Sequence, residues 1–345
     1  MDTVKDILSS LTSISAPSGY EMPIVQFLKD KLSIYSNLRI DEDVLGNLIV
    51  TKKGKTDKNI MLVAHCDEIG FAIKYIDEQG FVRFTPIGGV DVSLLKGQVV
   101  NILHCDTIIQ GVVGAKPIHL SRNEKNNRGF DVSDMWIDIG AEDKETAMKL
   151  VSVGDPITFT TNYIELKNDF IAAKSIDNRS GVAVLLSIIE RIHNVDTSNN
   201  IVVVFSVQEE IGLRGVITAG YNIHPDVSIV VDVTHATDYP SINKNACGEI
   251  RLGAGPVIPI GANFSMEIQN ILRNIAKSNN IQFQIESLPG FSGTDAAELQ
   301  LQHGGCLLGT ISIPCRYMHS PVEISSYNDI THAIEILGKY CRISN

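Results

Sequence analysis

The sequence predicts an α/β protein with a smaller all-β domain inserted into it. In both outer parts of the 345-residue chain, continuously apolar strands alternate with helical segments, which is typical of a sheet covered by helices on both faces. Between these parts, many short β segments are separated by glycine-containing turns, which favours a small barrel or sandwich. We therefore expect residues 1–69 and 166–345 to form one α/β domain, and residues 70–165 to form the insert.

Local patterns predict the elements of the first part. Ser18 and Glu21 have the spacing of a capping box, which predicts a helix from there to about Leu32. Three strand-like stretches follow, at 39–43, 47–52 and 59–63, and the third is apolar enough to be buried.

The insert and the last part differ in their predicted secondary structure. The insert is predicted to contain a hairpin that turns at 78–80, one helix at 144–151 and a mobile polar loop at 119–131. After residue 166, alternation returns with predicted strands at 201–207, 227–231, 283–288 and 306–313, and predicted helices at 181–192, 265–279 and 328–341.

Composition excludes several classes of protein. The chain has 29 basic and 40 acidic residues, a net charge of −11, without the basic patch that a nucleic-acid partner requires. Its apolar stretches are shorter than the roughly 20 residues of a membrane span, and Asp2 and Asp6 stand where a signal peptide would be basic. Six cysteines without a Cys-x-x-Cys pair indicate reduced, mostly buried thiols. We expect a cytoplasmic protein without nucleic-acid or membrane partners.

Acidic residues and histidines follow the predicted strands. Ligands of an open α/β sheet bind outside the carboxyl ends of its strands, so groups that follow several strands meet at one edge. The residues in these positions are His65 with Asp67, Glu209 with Glu210, Asp232 and His319, and Asp177 opens the helix that begins near Gly181.

Each of these residues also has an ordinary structural interpretation. Asp177 matches the residue preference of a helix N-cap, and a single histidine is more often structural than a ligand. Together, however, the carboxylates would repel one another unless cations neutralised them. Imidazole and carboxylate ligands without cysteine favour zinc, cobalt or manganese. We therefore predict two divalent metal ions per subunit, bridged by Asp177 and bound by His65, Glu210, Asp232 and His319.

Spacing assigns further roles. His65 and Asp67 are two residues apart, so on extended backbone they point to the same side, and Asp67 is predicted to orient the imidazole rather than bind metal. The adjacent Glu209 and Glu210 cannot share a direction on extended backbone. One of them is expected to hold a metal, and the other to accept a proton from water at the site.

Six motifs distributed over the whole chain resemble one known family. They are AHCDEIGF at 64–71, KSIDNRSG at 174–181, VQEEIGLRG at 207–215, VVDVTHATD at 230–238, SGTDAAELQ at 292–300 and IPCRYMHSPVE at 313–323. In this order they resemble the TET aminopeptidases, dinuclear-metal enzymes that assemble as tetrahedral dodecamers. This family is related to glutamyl aminopeptidase and is often described as endoglucanase.

The resemblance implies a phosphorylase/hydrolase-like mixed sheet flanked by helices, with the inserted β domain serving dimerisation and subunit association. It implies homo-oligomers, dodecamers by family resemblance, that act on short peptides. It implies one metal on His65, Asp177 and Asp232 and a second on Asp177, Glu210 and His319. By the same resemblance, Glu209 is the catalytic general base and Asp67 the residue behind His65. Asn178 stands where a second aspartate is common, and Cys66 where methionine is frequent.

Other functions remain open from the sequence. A metal-dependent deacylase or carboxypeptidase would share the metal site. An endoglucanase needs two carboxyl groups flanking one sugar bond, and a non-catalytic scaffold needs none of the ligands. A pocket for acidic side chains would require a nearby cation such as Arg251 or Arg316.

Overall fold

The computed structural model describes residues 3–117, 119 and 131–343. In these ranges the helices are α1 Val4–Ser13, α2 Met22–Leu32, α3 Lys144–Met148, α4 Ile176–Ile192, α5 Arg214–Ile223, α6 Lys244–Cys247, α7 Met266–Ser278, α8 Asp295–Leu299 and α9 Tyr327–Ile343. The strands before residue 160 are β1 Arg39–Glu42, β2 Leu48–Lys52, β3 Asn59–His65, β4 Gly70–Ile76, β5 Val82–Ile87, β6 Val99–His104, β7 Thr107–Ala115, β8 Met135–Asp138 and β9 Pro156–Phe159. The later strands are β10 Ile164–Glu165, β11 Phe170–Ala173, β12 Asn200–Ser206, β13 Val227–His235, β14 Leu307–Arg316 and β15 Glu323–Ser326.

A mixed sheet forms the centre of the fold. Its strand order within the described residues is β1-β2-β12-β3-β13-β14-β15-β11-β10. The four central strands, β12, β3, β13 and β14, are parallel, and the flanking strands are antiparallel. The predicted mixed α/β sheet is therefore confirmed.

The central strands are apolar throughout because both faces of the sheet are covered. In β3, Leu62 and Ala64 pack into the core beneath α4 and α9, whereas Met61 and Val63 pack into a second core with α5 and α8. Successive side chains of a strand point to opposite faces, so alternate residues fill different cores. His65 is the next residue in the alternation of Met61 and Val63, so its side chain points to the same face of the sheet.

The insert forms a closed barrel with strand order β4-β5-β8-β7-β6-β9. Phe71 lies at the centre of its separate core, where its ring meets those of Phe84 and Phe159 edge to face at 5.2 and 5.6 Å. The sequence left a barrel and a sandwich open, and the structure selects the barrel. Strand β10, at Ile164–Glu165, already pairs with β11 in the large sheet.

Some local predictions are wrong. No side chain caps α2, which begins at Met22, because Ser18 donates its hydroxyl proton to Asp67 (2.6 Å) and Glu21 accepts from Gly19 N–H (2.8 Å). Residues 283–288 form isolated bridges instead of a strand. The expected loop at 119–131 lies mostly outside the described residues.

All six cysteines are free thiols; Cys66, Cys315 and Cys341 are buried, and Cys105 and Cys247 are exposed. Among the described helices, none has both the length and the apolar character required to cross a membrane.

Candidate metal centre

The candidate residues meet at the carboxyl edge of the central strands. His65 is the last residue of β3, and it pairs in register with Ser206, the last residue of β12. Asp232 lies in the last half of β13, and His319 follows the end of β14. Because these strands run in parallel, residues more than 250 positions apart in sequence arrive at one edge.

The carboxylate of Asp177 lies between two imidazoles. Its Oδ1 is 3.1 Å from Nε2 of His65, and its Oδ2 is 3.4 Å from Nε2 of His319. Asp177 has non-helical dihedral angles near the start of α4, and its peptide bond to Asn178 is cis. One carboxylate with each oxygen directed at a different histidine is the arrangement that a bridging ligand requires.

Three further acids complete the cluster. Asp232 Oδ1 lies 3.7 Å from Nε2 of His65, and Glu210 Oε2 lies 3.3 Å from Nε2 of His319. Glu209 Oε2 lies 4.0 Å from Nε2 of His65. The structure thus brings all five predicted ligands and the predicted base together.

The segment that carries the two adjacent glutamates is a turn after β12, and Gln208 has a φ of 57°. The assumption that Glu209 and Glu210 lie on extended backbone is therefore wrong, and both carboxylates reach the site. Asp67 fixes this turn because its Oδ1 accepts the N–H of Glu209 and its Oδ2 accepts that of Glu210, both at 3.1 Å.

Asp67 also lies behind His65. The distance between Asp67 Oδ1 and His65 Nδ1 is 3.4 Å, and Asp67 is fully buried. Although burial alone would raise the pKa of Asp67, contact with His65 and the hydroxyl of Ser18 lowers it below its ordinary value. A carboxylate in this place favours the orientation of His65 that presents Nε2 to the site.

The orientation of His319 is set by the barrel and by Glu323. Its Nδ1–H donates to the carbonyl of Gly89, which follows β5, at 2.9 Å, and this leaves Nε2 available to the site. Its backbone N–H donates to Oε1 of Glu323 at 2.9 Å, while Oε2 of Glu323 accepts the N–H of Asp177, also at 2.9 Å. The buried carboxylate of Glu323 therefore holds both the segment of His319 and the segment of Asp177.

Burial and mutual repulsion raise the pKa values of two acids in the cluster. Burial, together with Asp232 and Asp295, raises the pKa of Glu209 to about 10. Burial and Asp177 raise the pKa of Asp232 to about 7. Divalent cations would favour the ionised forms of these acids and remove the repulsion between them.

The donor set fits such cations. In the described residues, ligand atoms within 4.8 Å of one another form two triads: His65, Asp177 and Glu210, and His65, Glu209 and Asp232. Imidazole nitrogens and carboxylate oxygens suit zinc, cobalt and manganese. His65 belongs to both triads, His319 to neither, and the second triad includes Glu209 beside the predicted ligand Asp232.

Two buried acids escaped the sequence assignment. Glu323 and Asp295 are each 1% exposed and belong to matched motifs, but neither follows a strand in a way that indicates a role. Asp295 Oδ2 accepts a hydrogen bond from Ser206 at 2.6 Å, and burial raises its pKa to about 6. Only their motif membership could have drawn attention to them.

The cluster forms one end of a cavity of about 700 Å³. The remaining wall comes from the carboxyl end of β13, residues 286–294 and the helix α8. Apolar side chains of this wall include Phe264, Leu288 and Met318. This space is large enough for the first residues of an extended peptide.

Comparison with known proteins identifies the family of the chain. The sequence model of the M42 glutamyl aminopeptidase family matches residues 46–336. A relative from Acetivibrio thermocellus is 40% identical over 335 residues, which is 96% of each chain. The lysyl aminopeptidase of Pyrococcus furiosus is 33% identical over 342 residues, 96% of this chain and 94% of that one.

A solved structure agrees as well. The TET1 peptidase of Pyrococcus horikoshii superimposes on this chain with a TM-score of 0.88 and 31% identity, and the match covers 98% of this chain and 99% of that one. That peptidase is described as able to assemble into a tetrahedron or a large octahedral shell. The chain therefore belongs to the M42 glutamyl aminopeptidase family of metal-dependent peptide-bond hydrolases.

Proposed function

We propose that this aminopeptidase removes N-terminal residues from short peptides at a centre that binds two divalent ions, zinc, cobalt or manganese. The first ion would be held by His65, Asp177 and Asp232, and the second by Asp177, Glu210 and His319. The observation that carries the proposal is the position of Asp177, whose two oxygens face His65 and His319 at 3.1 and 3.4 Å. Bound there, the ions would polarise the scissile carbonyl and lower the pKa of a water molecule.

Glu209 is the proposed general base. Its Oε2 lies 4.0 Å from Nε2 of His65, so the carboxylate borders the space between the ligands. From there it can accept the proton of the attacking water and then donate it to the leaving amine. Asp67 and Glu323 keep the ligands and the base in place through the hydrogen bonds described above.

The two adjacent glutamates provide a matched test. Glu209→Gln should keep both ions and reduce kcat roughly 10²- to 10⁴-fold, the usual contribution of a general base. Glu210→Gln should lose affinity for one ion as well as activity. Metal content by mass spectrometry and turnover of an aminoacyl chromogenic amide separate the two. Full activity in Glu209→Gln, or two tightly held ions in Glu210→Gln, would contradict the assigned roles.

We further propose that the protein forms homo-oligomers through the barrel. The apolar side chains of Val99, Ile108 and Val112 are between 42% and 60% exposed on β6 and β7. Neighbouring exposed apolar residues of this kind are typical of an association surface. The dodecameric assembly size and the cytoplasmic location stay predictions.

A further inference from the structure

The cavity beside the metal centre has a second acidic group that the proposed reaction does not use. Glu286 lies on its wall, in the segment that follows α7, and is partly buried. Its Oε2 accepts a hydrogen bond from Oγ1 of Thr234 at 2.8 Å. The side chain is therefore held in one direction instead of extending into solvent.

The position of Thr234 relates Glu286 to the reacting end of the cavity. Thr234 follows Asp232 by two residues in β13, so both side chains point to the same face, about 6.6 Å apart along the strand. An extended lysine side chain places its ammonium group roughly 6 Å from its Cα by standard bond lengths. A peptide whose first residue lies at the metal ligands can therefore direct a side chain of that length towards Glu286.

The charge of the wall favours a cation at this place. Glu286 and Glu298 both line the cavity, and among the described residues no lysine or arginine does. Apolar side chains share the lining of this cavity, among them Phe264 and Leu288. Such a surface packs against the methylene groups of a long basic side chain while a carboxylate meets its charged end.

The two arginines that could have served an acidic substrate are engaged elsewhere. Arg316 donates from Nε and Nη2 to the carboxylate of Asp238, both at 2.7 Å, and Arg251 donates to Glu249 at 2.6 Å. Neither lines the cavity. An N-terminal glutamate would therefore meet like charge, which is unfavourable in a partly buried site.

We propose that the cavity selects peptides with a basic first residue, lysine or arginine, and that Glu286 is the residue that determines this preference. The inference rests on the proposed aminopeptidase function. The carboxylate has two oxygens; the Thr234 hydroxyl uses one, and the other can accept from an ammonium or guanidinium group.

A pair of substrates that differ only in the terminal ammonium tests the proposal. On protein restored with zinc, cobalt or manganese, kcat/KM should be roughly 10- to 100-fold higher for lysyl than for norleucyl p-nitroanilide, the usual effect of a hydrogen bond to a charged group. Glutamyl p-nitroanilide should be the poorest of the three. Glu286→Gln should lower the lysyl-to-norleucyl ratio at least tenfold, Glu286→Asp should retain part of it, and Glu286→Lys should raise the relative rate with the glutamyl amide.

A control variant and a binding measurement complete the test. Glu298→Gln removes the same charge from the same wall and should change the ratio less than Glu286→Gln. Calorimetric titration should show tighter binding of L-lysine than of L-norleucine, and Glu286→Gln should remove the difference. Equal lysyl and norleucyl rates, a glutamyl preference, or an equal loss in both glutamine variants would overturn the inference. If none of the three amides is cleaved, the proposed function itself fails.

Discussion

Replacing Glu323 with glutamine tests whether the metal centre depends on a residue that touches neither a metal nor a substrate. The two carboxylate oxygens of Glu323 accept the backbone N–H groups of His319 and Asp177, each at 2.9 Å, and the side chain is 1% exposed. Glutamine has a single oxygen, so one of these N–H groups would face an NH₂ group instead of an acceptor. A buried N–H group that is left without an acceptor costs about 1–3 kcal/mol.

The lost hydrogen bond weakens the hold on the segments that carry Asp177 and His319. If most of this cost reaches the metal-binding equilibrium, affinity for zinc falls about 10- to 100-fold, the range observed for residues that hold metal ligands. Competition between apo protein and a chromogenic zinc chelator measures the dissociation constant directly. Activity is not needed for this measurement, so a defect in catalysis cannot imitate the result.

The chain offers a closely matched control in Asp329. Its carboxylate also accepts two backbone N–H groups, from Gly253 at 2.8 Å and Gly255 at 2.7 Å, and it is fully buried. Asp329→Asn is the same chemical change at a position that holds no proposed ligand, so zinc affinity should stay at its original value. Zinc binding by Glu323→Gln within threefold of the unchanged protein would refute the positioning role.

Two further predictions concern stability. Burial raises the pKa of Asp329 to about 6 from 3.8, so between these values the folded state binds more protons than the unfolded state, and stability must fall as pH rises. Between pH 4 and pH 7, the unchanged protein should therefore lose up to about 3 kcal/mol of unfolding free energy relative to Asp329→Asn. Urea titrations of both proteins measure this loss. A difference in unfolding free energy between the two proteins that stays constant with pH would contradict the prediction. The second prediction concerns Lys174, whose Nζ contacts both oxygens of buried Glu68 at 2.8 and 2.7 Å. Because Lys174→Met leaves that carboxylate buried without its partner, it should lower the unfolding free energy by about 3–5 kcal/mol. Lys53→Met, which removes an exposed ion pair, should change the unfolding free energy by less than about 1 kcal/mol. Equal effects of the two methionine variants would argue against the buried pair.

Much of the fold was predictable because its signals are local. The apolar runs of β3, β12, β13 and β14 identify a sheet covered on both faces, whatever the rest of the chain does. Once those strands are taken as parallel, the residues that follow them must share one edge. This is why His65, Asp232 and His319 could be grouped from sequence, although they are spread over more than 250 positions.

Local patterns failed where a side chain had a better partner elsewhere in the fold. Ser18 and Glu21 match a capping box, but Ser18 bonds to Asp67, which is 49 residues away. Residues 283–288 alternate like a strand, yet they make only isolated bridges, and Glu286 lies in the cavity wall. A hydrogen bond between distant residues leaves no periodic trace in the sequence.

The sequence by itself determined the sheet, the edge at which its polar residues collect, and the chemical type of the site. Only the tertiary structure decided how the turn at Glu209 and Glu210 directs both carboxylates inward, that Glu323 joins the segments of Asp177 and His319, and which charges line the cavity. The physical reason is the range of the interactions. Backbone periodicity and strand direction are set by neighbouring residues. The contacts of Asp67 with the turn and of Glu323 with Asp177, in contrast, join residues 142 to 146 positions apart and exist only after the chain has folded.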